Sequence, residues 1–598
     1  MPEYKSPVRD IKFVMQELLD CETHYQKLGY EDATIDMVDA IIGEAAKFTE
    51  QVIAPINQIG DEQGCTWNNG EVTTPDGFKE AYQQYVEGGW PTLAQSIDFG
   101  GQGLPHSLNT AISELFSGAN HSFAMYPGLS HGALATIEEH GSDFQKNTFM
   151  PKLVEGVWTG TMCLTEPHCG TDLGMLRTKA ELNEDGSYSL TGTKIFISAG
   201  EHDLSDNIVH IVIARIPGSP EGSKGISLFI VPKFNVTENG EVADKNAVSC
   251  GSIEHKMGIN ANATCVINFD GAKGYLIGEV NRGLNCMFTF MNAARLGVAT
   301  EGVAAAEASF QGALAYAKDR LQMRSLTGVK NPDGPADAII VHPDVRRMLL
   351  TQKSIAEGGR ALVAYLAQLV DIGHASKDEA EKAATEAKLA LLTPIAKAFL
   401  TEVGLECTSH GIQVFGGHGF IKEWGMEQLM RDTKISCLYE GTTGIQALDL
   451  LARKILGSKG EILKPFGAEV TAFCVANAGN EAMQEFIQPI MTFGGDLQKM
   501  TERIGMKAMQ NPDEIGAASV DYLMYSGYLT LAYFWAKMVK VAQDKLAAGE
   551  GDSAFYEAKI KTARFYFQRI LPRASGHAAC VENGAVSMME LAEDDFSF

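Results

Sequence analysis

The stretch best equipped for chemistry runs from Gln413 to Arg453 and reads QVFGGHGFIKEWGMEQLMRDTKISCLYEGTTGIQALDLLAR. Phe415-Gly416-Gly417-His418-Gly419 is a glycine-rich turn, and a short helical segment follows it, ending in Arg431-Asp432. Glu440-Gly441-Thr442 then stands at the mouth of another helix. A carboxylate beside backbone N–H groups at such a mouth suits an anion or a polarised carbonyl. Apart from Arg431, Asp432 and Lys434, the flanking sequence is mostly uncharged. Enzymes tune base carboxylates through this kind of half-buried setting, so Glu440 reads as a catalytic base. The alternative is a glutamate near an N-cap that satisfies the following helix, worth about 0.3–1 kcal/mol. One carboxylate can do both.

Three further stretches carry usable groups. Thr161-Met162-Cys163-Leu164-Thr165-Glu166-Pro167-His168-Cys169-Gly170-Thr171-Asp172 leads a β-like run into a Gly-Thr turn. Its hydroxyls and N–H groups suit a flat heteroaromatic ring and a diphosphate, although on local features alone an ordinary loop is favoured. In Lys194-Ile195-Phe196-Ile197-Ser198-Ala199-Gly200, Phe196 and Ser198 fall on one face of a strand. A core Phe with an incidental Ser explains that stretch as well. Arg295 sits among small apolar residues in Met291-Asn292-Ala293-Ala294-Arg295-Leu296-Gly297 and needs a partner, structural or functional.

The surrounding pattern gives the elements that must position these groups. Tyr4–Val8 reads as an extended arm, and Ile35, Val38, Ile41, Ile42, Ala45 and Phe48 recur at helical spacing. Trp67-Asn68-Asn69-Gly70 is a hairpin-turn sequence. Helical pattern runs over Gly77–Gly88 and from about Leu108 to His140. From Trp158 to about Gly278 the chain changes to short β-rich runs with no helix-length segments between them, which predicts a small barrel or sandwich. Helix returns at Gly283, with Ala293–Asp319, Val345–Gly373, Lys377–His410 and Thr443–Leu456. The block from about 470 to the end is helical and carries no glycine-rich site chemistry. The expected division is an arm at 1–34, a helical domain at 35–157, a β domain at 158–280, a helical bundle at 281–465 and a helical extension at 466–598.

Composition narrows the function classes. The 598 residues are 45% apolar and 21% charged, as in soluble globular proteins, and no apolar run approaches the length of a membrane span. A net charge of −26 argues against nucleic acid as a partner, because that binding rests on phosphate neutralisation. The start, MPEYKSPVRDIKF, has no apolar signal core, and the 11 cysteines include no C-x-x-C. The expectation is a cytoplasmic protein with reduced cysteines. His106, His121, His131 and His140 form no ligand pattern, and no metal site is expected.

Taken together, Met162–Asp172, Lys194–Ser198, Lys256-Met257-Gly258 through Phe269-Asp270, and Gln413–Arg453 resemble the acyl-CoA dehydrogenase family of flavoproteins over about residues 30 to 460. The four motifs stand in family order. The length, the Tyr4–Phe13 arm, Arg320-Leu321-Gln322-Met323-Arg324 and the C-terminal helices resemble a large subfamily that includes fatty-acyl-CoA and 3-methylmercaptopropionyl-CoA dehydrogenases. The resemblance implies a mainly α fold: a helical N-domain, a central β domain and a four-helix bundle, with FAD between β domain and bundle and the C-terminal helices appended.

By motif, the resemblance puts Cys163, Leu164 and Thr165 at the flavin pyrimidine edge. Gly170 and Thr171 fall near the diphosphate and the CoA path, Phe196 against the ring, and Ser198 on flavin N5. Arg320, Gln413, Gly416 and Gly417 would reach the cofactor of a neighbouring subunit, so a homodimer or higher oligomer is implied. Thr442 and Gln446 complete the flavin pocket, and Asn292, Arg295 and Gly441 fall on the substrate side with Thr171.

The implied reaction is α,β-dehydrogenation of an acyl-CoA thioester. Glu440 removes the α-proton, hydride passes to flavin N5, and electrons leave through an electron-transferring flavoprotein. The thioester carbonyl is polarised by the Glu440 N–H and a flavin ribityl hydroxyl. Some relatives keep the base just before the substrate-side arginine; here that residue is Ala294, which cannot act as one. Phe196 replaces the usual Trp, Ser198 the usual Thr, Asn292 a common Asp, and Arg320-Leu321-Gln322 the common Arg-Lys-Thr. Gly444 lacks a side chain that usually helps with the cofactor. A straight-chain acyl-CoA is the leading substrate and the methylthio chain the runner-up. An acyl-CoA oxidase and a DNA-associated flavoprotein are weaker alternatives, the latter lacking the basic run it needs.

Overall fold

The computed structural model describes residues 2–237 and 239–597. They form two units, one built from the described residues within 40–297 and the other from residues 2–39 and 298–597.

In the first unit the strands close on themselves. Tyr188–Ser198 pairs with Thr264–Ile277, which pairs with Ile226–Pro232, which pairs with Asn207–Arg215. Lys179–Leu182 completes the ring, pairing with Tyr188–Ser198 and touching Asn207–Arg215 at Lys179–Arg215. Trp158–Cys163 lies parallel against Asn207–Arg215, and Val248–Ile253 lies antiparallel on Thr264–Ile277. The β domain expected as barrel or sandwich is therefore a five-stranded barrel with two flanking strands.

The alternation of strand residues explains why the barrel stays shut. Val212, Ala214, Phe229 and Val231 point inward with Leu190 and Phe269. Val209, Ile211, Ile213, Leu228 and Ile230 point outward against Leu134, Ile137, Phe149 and Phe290. Strands covered on both faces need a near-continuous apolar run, and Asn207–Arg215 has one broken only by His210, which is buried with its Nδ1 paired to Thr161 Oγ1 at 2.7 Å.

The hairpin at Trp67–Gly70 is present, with Asn69 and Gly70 at φ 50° and 90°, as a two-residue turn between twisted strands requires. The helical stretch expected over Leu108–His140 is broken. Asn120 leaves helical geometry and caps His121–His140, its side chain accepting from the Phe123 N–H at 3.1 Å.

The second unit is helical. Pro343–Ala375 and Glu379–Phe415 pack with the C-terminal part of Gly283–Asp319. Gly302 and Gly404 bring two of these helices together backbone to backbone: a Cβ on Gly302 would lie 2.5 Å from the Leu400 carbonyl oxygen. The C-terminal helices Lys464–Ala476, Gln484–Ala508, Asp513–Ala548, Ser553–Phe565 and Ala574–Asn583 are woven into this bundle. Gly527 lies against the Phe399 ring, and the Trp535 indole donates to the Ser354 carbonyl at 3.1 Å. Among the described residues no helix is long and apolar enough to cross a membrane.

Candidate active site

The helix Met426–Lys434 tightens through Ile435–Cys437, and the chain then turns to start the helix Thr443–Leu448. Glu440 and Gly441 make that turn with φ of +55° and +90°. The left-handed region costs a non-glycine residue roughly 1–2 kcal/mol, so surrounding bonds must impose it at Glu440. They are all in place. Gln446 Nε2 donates to the Glu440 carbonyl at 2.8 Å, and the Gln446 N–H donates to the Thr442 carbonyl at 3.0 Å. Lys397 Nζ donates to the Gly441 carbonyl at 2.7 Å. Thr443 Oγ1 donates to Glu402 at 2.5 Å, and the Tyr439 hydroxyl donates to Glu301. Burial, reinforced by Glu301, pushes that hydroxyl well above the usual tyrosine range. Thr442 caps the following helix, accepting from the Ile445 N–H at 3.3 Å. Glu440 itself is half-buried.

Apart from Arg431, Asp432 and Lys434 the sequence around Glu440 is mostly uncharged, and the fold adds charge to it from elsewhere. Glu301, Lys397 and Glu402 reach the loop from two helices far away in the chain. A lysine inside the apolar run Leu391–Leu400 was the available signal for a buried partner.

In the barrel unit, the strand Trp158–Cys163 ends with Cys163 buried. The next two residues are stitched to the neighbouring strand: Lys194 Nζ donates to the Leu164 carbonyl at 3.0 Å, and the Ile195 N–H donates to the Thr165 carbonyl at 2.9 Å. Glu166 anchors the start of the loop. It accepts from Lys194 Nζ at 2.9 Å, Thr178 Oγ1 at 2.6 Å and the Arg177 N–H at 2.7 Å. Burial pushes its carboxyl up, but Lys194 and these donors outweigh burial and hold it below the usual range. Glu166, His168 and Cys169 lie within 4.8 Å of one another, yet a cation there would compete with Lys194 for the same carboxylate. Gly170 and Thr171 are exposed on the loop beyond.

Phe196 sits where the ladder slips between Cys265 and Ile267, at φ +58°. This bulge turns the ring outward to 59% exposure, while Ile197 beside it is buried. Ser198 follows, paired with Thr264 and half-buried. Arg295 is buried on the helix Gly283–Asp319, with Asn292 exposed and Ala294 half-buried on the same element.

Arg320, Gln413, Gly416 and Gly417 come together at one end of the bundle unit, all exposed. Tyr316 stacks on Phe415 at 4.1 Å, and its hydroxyl pairs with His418 Nδ1 at 2.9 Å, which fixes the two helix ends beside each other. Gln413 lies 16 residues beyond Lys397 on one helix (413 − 397), so this cluster is about 24 Å along the axis from the Glu440 loop.

Each unit, taken by itself, carries one feature that suits a planar heteroaromatic ring. Gln446 Oε1 is a buried acceptor with no partner among the described residues, so a ring N–H would satisfy it. Phe196 offers an exposed aromatic face held out by the backbone.

Comparison with known proteins identifies the setting. A 3-methylmercaptopropionyl-CoA dehydrogenase of Ruegeria pomeroyi is 40% identical over 97% of this chain and 98% of its own. The chain belongs to the acyl-CoA dehydrogenase family. Family profiles match as the acyl-CoA dehydrogenase N-terminal domain over residues 37–157, the middle domain over 161–272 and the C-terminal domain over 281–456. An acetyl-CoA dehydrogenase C-terminal-like profile matches 466–592. The broad-specificity linear acyl-CoA dehydrogenase FadE5 of Mycobacterium tuberculosis is 34% identical over the full length of both chains. The Caenorhabditis elegans ACDH-11 crystal structure, solved with C11-CoA, shares the fold at a TM-score of 0.78 with 20% identity, covering 95% of this chain and 91% of its own. As a family member the protein is an oxidoreductase acting on acyl-CoA, and the family's cofactor is FAD.

Proposed function

We propose that this acyl-CoA dehydrogenase converts a saturated straight-chain acyl-CoA to the trans-2-enoyl-CoA, as in the first step of fatty-acid β-oxidation, with Glu440 as the base. The observation that carries this reading is the Glu440 loop: a half-buried carboxylate held in a left-handed turn by four side chains, at the start of a helix. Pre-orientation of that kind is what removal of a carbon-bound proton requires.

In this reading the substrate thioester carbonyl sits on the Glu440 N–H, which favours the negative charge that develops on oxygen. That acidifies the α-proton, and the Glu440 carboxylate takes it. FAD, when bound, supplies the two-electron acceptor for the β-hydride. Cys163, Leu164, Thr165, Phe196, Ser198, Thr442 and Gln446 would hold the ring end, and Gly170 and Thr171 the diphosphate and CoA path. Arg295, Asn292 and Gly441 would flank the substrate, and Ala294 leaves Glu440 without a competing base on that helix. The exposed cluster of Arg320, Gln413, Gly416 and Gly417 lies about 24 Å along a helix from this chain's own base loop. It is better placed to serve the cofactor of a second copy, which supports at least a homodimer. An electron-transferring flavoprotein as electron acceptor and a cytoplasmic location complete the proposal.

A second substrate is favoured by one observation. The 40% identical relative is named for 3-methylmercaptopropionyl-CoA, whereas the linear-chain relative stands at 34%. A panel of acyl-CoA thioesters of graded length, with the methylthio compound included and an artificial electron acceptor, decides between them. Highest kcat/KM on straight chains supports the leading reading, and a clear preference for the methylthio thioester replaces it with the second. Turnover of neither would refute both.

A further inference from the structure

Lys397 is fully buried, in a helix whose neighbouring positions Ile395, Ala396, Ala398 and Phe399 are buried apolar residues. A lysine carried into such a core is costly unless its amine is engaged. Its amine donates to the Gly441 carbonyl at 2.7 Å, on the residue that follows the base and at the point where φ reaches +90°. One turn and a half further along the same helix, Glu402 takes the Thr443 hydroxyl. The helix therefore grips the loop on both sides of Thr442, independently of Gln446.

We propose that Lys397 is a positioning residue for the base: through the Gly441 carbonyl it fixes the backbone from which the Glu440 side chain leaves, and it sets a buried positive charge beside the base loop. This rests on the dehydrogenase reading above.

The charge matters because carboxylates surround the loop. Glu301 meets it at Tyr439 and Glu402 at Thr443. Burial and then Glu402 push the Cys437 thiol up, while Lys434 and Lys397 oppose them, so these charges lie around one small region. Without Lys397 the balance there becomes more negative, and a carboxylate beside other carboxylates protonates more readily.

The test uses full-length, FAD-loaded protein and an acyl-CoA that the wild type turns over. Lys397→Met should retain flavin absorbance and KM, while kcat falls about 100-fold, the size expected when a catalytic group is displaced slightly. The acidic limb of its pH–kcat profile should move to higher pH, and Lys397→Arg should restore part of the rate. A folded Lys397→Met with wild-type kcat and an unmoved limb would overturn the proposal. If that variant does not fold, Lys397→Gln keeps a donor and drops the charge: a limb moved to higher pH supports the proposal, and an unmoved limb overturns it. Inactivity of the wild type on every acyl-CoA is a different result, and it would refute the dehydrogenase reading itself.

Discussion

The Lys559 amine and the Asp10 carboxylate meet in a buried interior although 549 residues separate them in the chain. The pair is part of a network. Lys559 also reaches Glu357 at 2.8 Å, and Arg360 joins Asp10 to Glu307, which it meets at 2.9 Å. The N-terminal arm, the bundle and the C-terminal extension are thereby closed on one another by charge as well as by packing.

Breaking that network should be severe. Lys559→Met leaves Asp10 and Glu357 buried with one cation fewer, and a loss of about 3–5 kcal/mol is expected. Denaturant unfolding of the full chain measures it. A loss below about 1 kcal/mol would mean that the network is incidental.

The same network predicts a pH dependence. Burial pushes the Asp10 carboxyl up, but Lys559 and Arg360 outweigh burial and bring it down to about 2 from 3.8. A depressed carboxyl contributes stability that is complete above its ordinary range and is lost as pH falls through its folded value. Wild type should therefore exceed Asp10→Asn in stability by the largest margin above about pH 4. The margin should shrink between about pH 4 and pH 2. Paired melting curves across that interval read it, and a margin independent of pH contradicts it.

Lys194 holds the Leu164 carbonyl and Glu166 together beneath the loop that carries Gly170 and Thr171. Lys194→Met removes both bonds and leaves a buried carboxylate. It should cost about 3–5 kcal/mol and weaken FAD retention in parallel. Thermal unfolding and the flavin content of the purified variant check both effects together. A destabilised variant with full flavin content would separate the loop from the cofactor.

Phe196 should behave in the opposite way. Its ring is 59% exposed, so Phe196→Ala should leave the apoprotein within about 0.5 kcal/mol of wild type. FAD affinity should fall by up to about 10-fold, the scale of one aromatic stacking contact. Flavin release monitored by fluorescence measures this. Unchanged affinity with a lowered melting temperature would make Phe196 a structural residue only.

Much of this arrangement is legible in the sequence. Period-3.6 runs such as Val345–Gly373 and the Asn69-Gly70 turn are local signals, and they fold as local rules require. Closure of the barrel was not readable, because it depends on pairing between Tyr188–Ser198, Thr264–Ile277 and Ile226–Pro232, which are not consecutive in the chain. The break at Asn120 is hard to read because buried apolar residues continue on both sides of it, Phe116 and Ala119 before and Phe123 after. At the candidate site the motif marked Glu440, but the groups that impose its backbone geometry did not stand near it in sequence. Glu301 lies 138 residues from its partner Tyr439, and Lys397 lies 44 from Gly441. The sequence beside the motif holds few charges, while the folded loop is gripped by the buried Lys397 and the half-buried Glu301 and Glu402.

The most direct test of the central claim is the reductive half-reaction of Glu440→Gln. FAD-loaded wild type and variant are mixed anaerobically with an acyl-CoA that the wild type oxidises, and flavin bleaching is followed. The variant keeps the shape of the loop and loses the proton acceptor. It should bind FAD normally and bleach about 100- to 10,000-fold more slowly. Bleaching at a rate near that of the wild type would show that Glu440 is not the base.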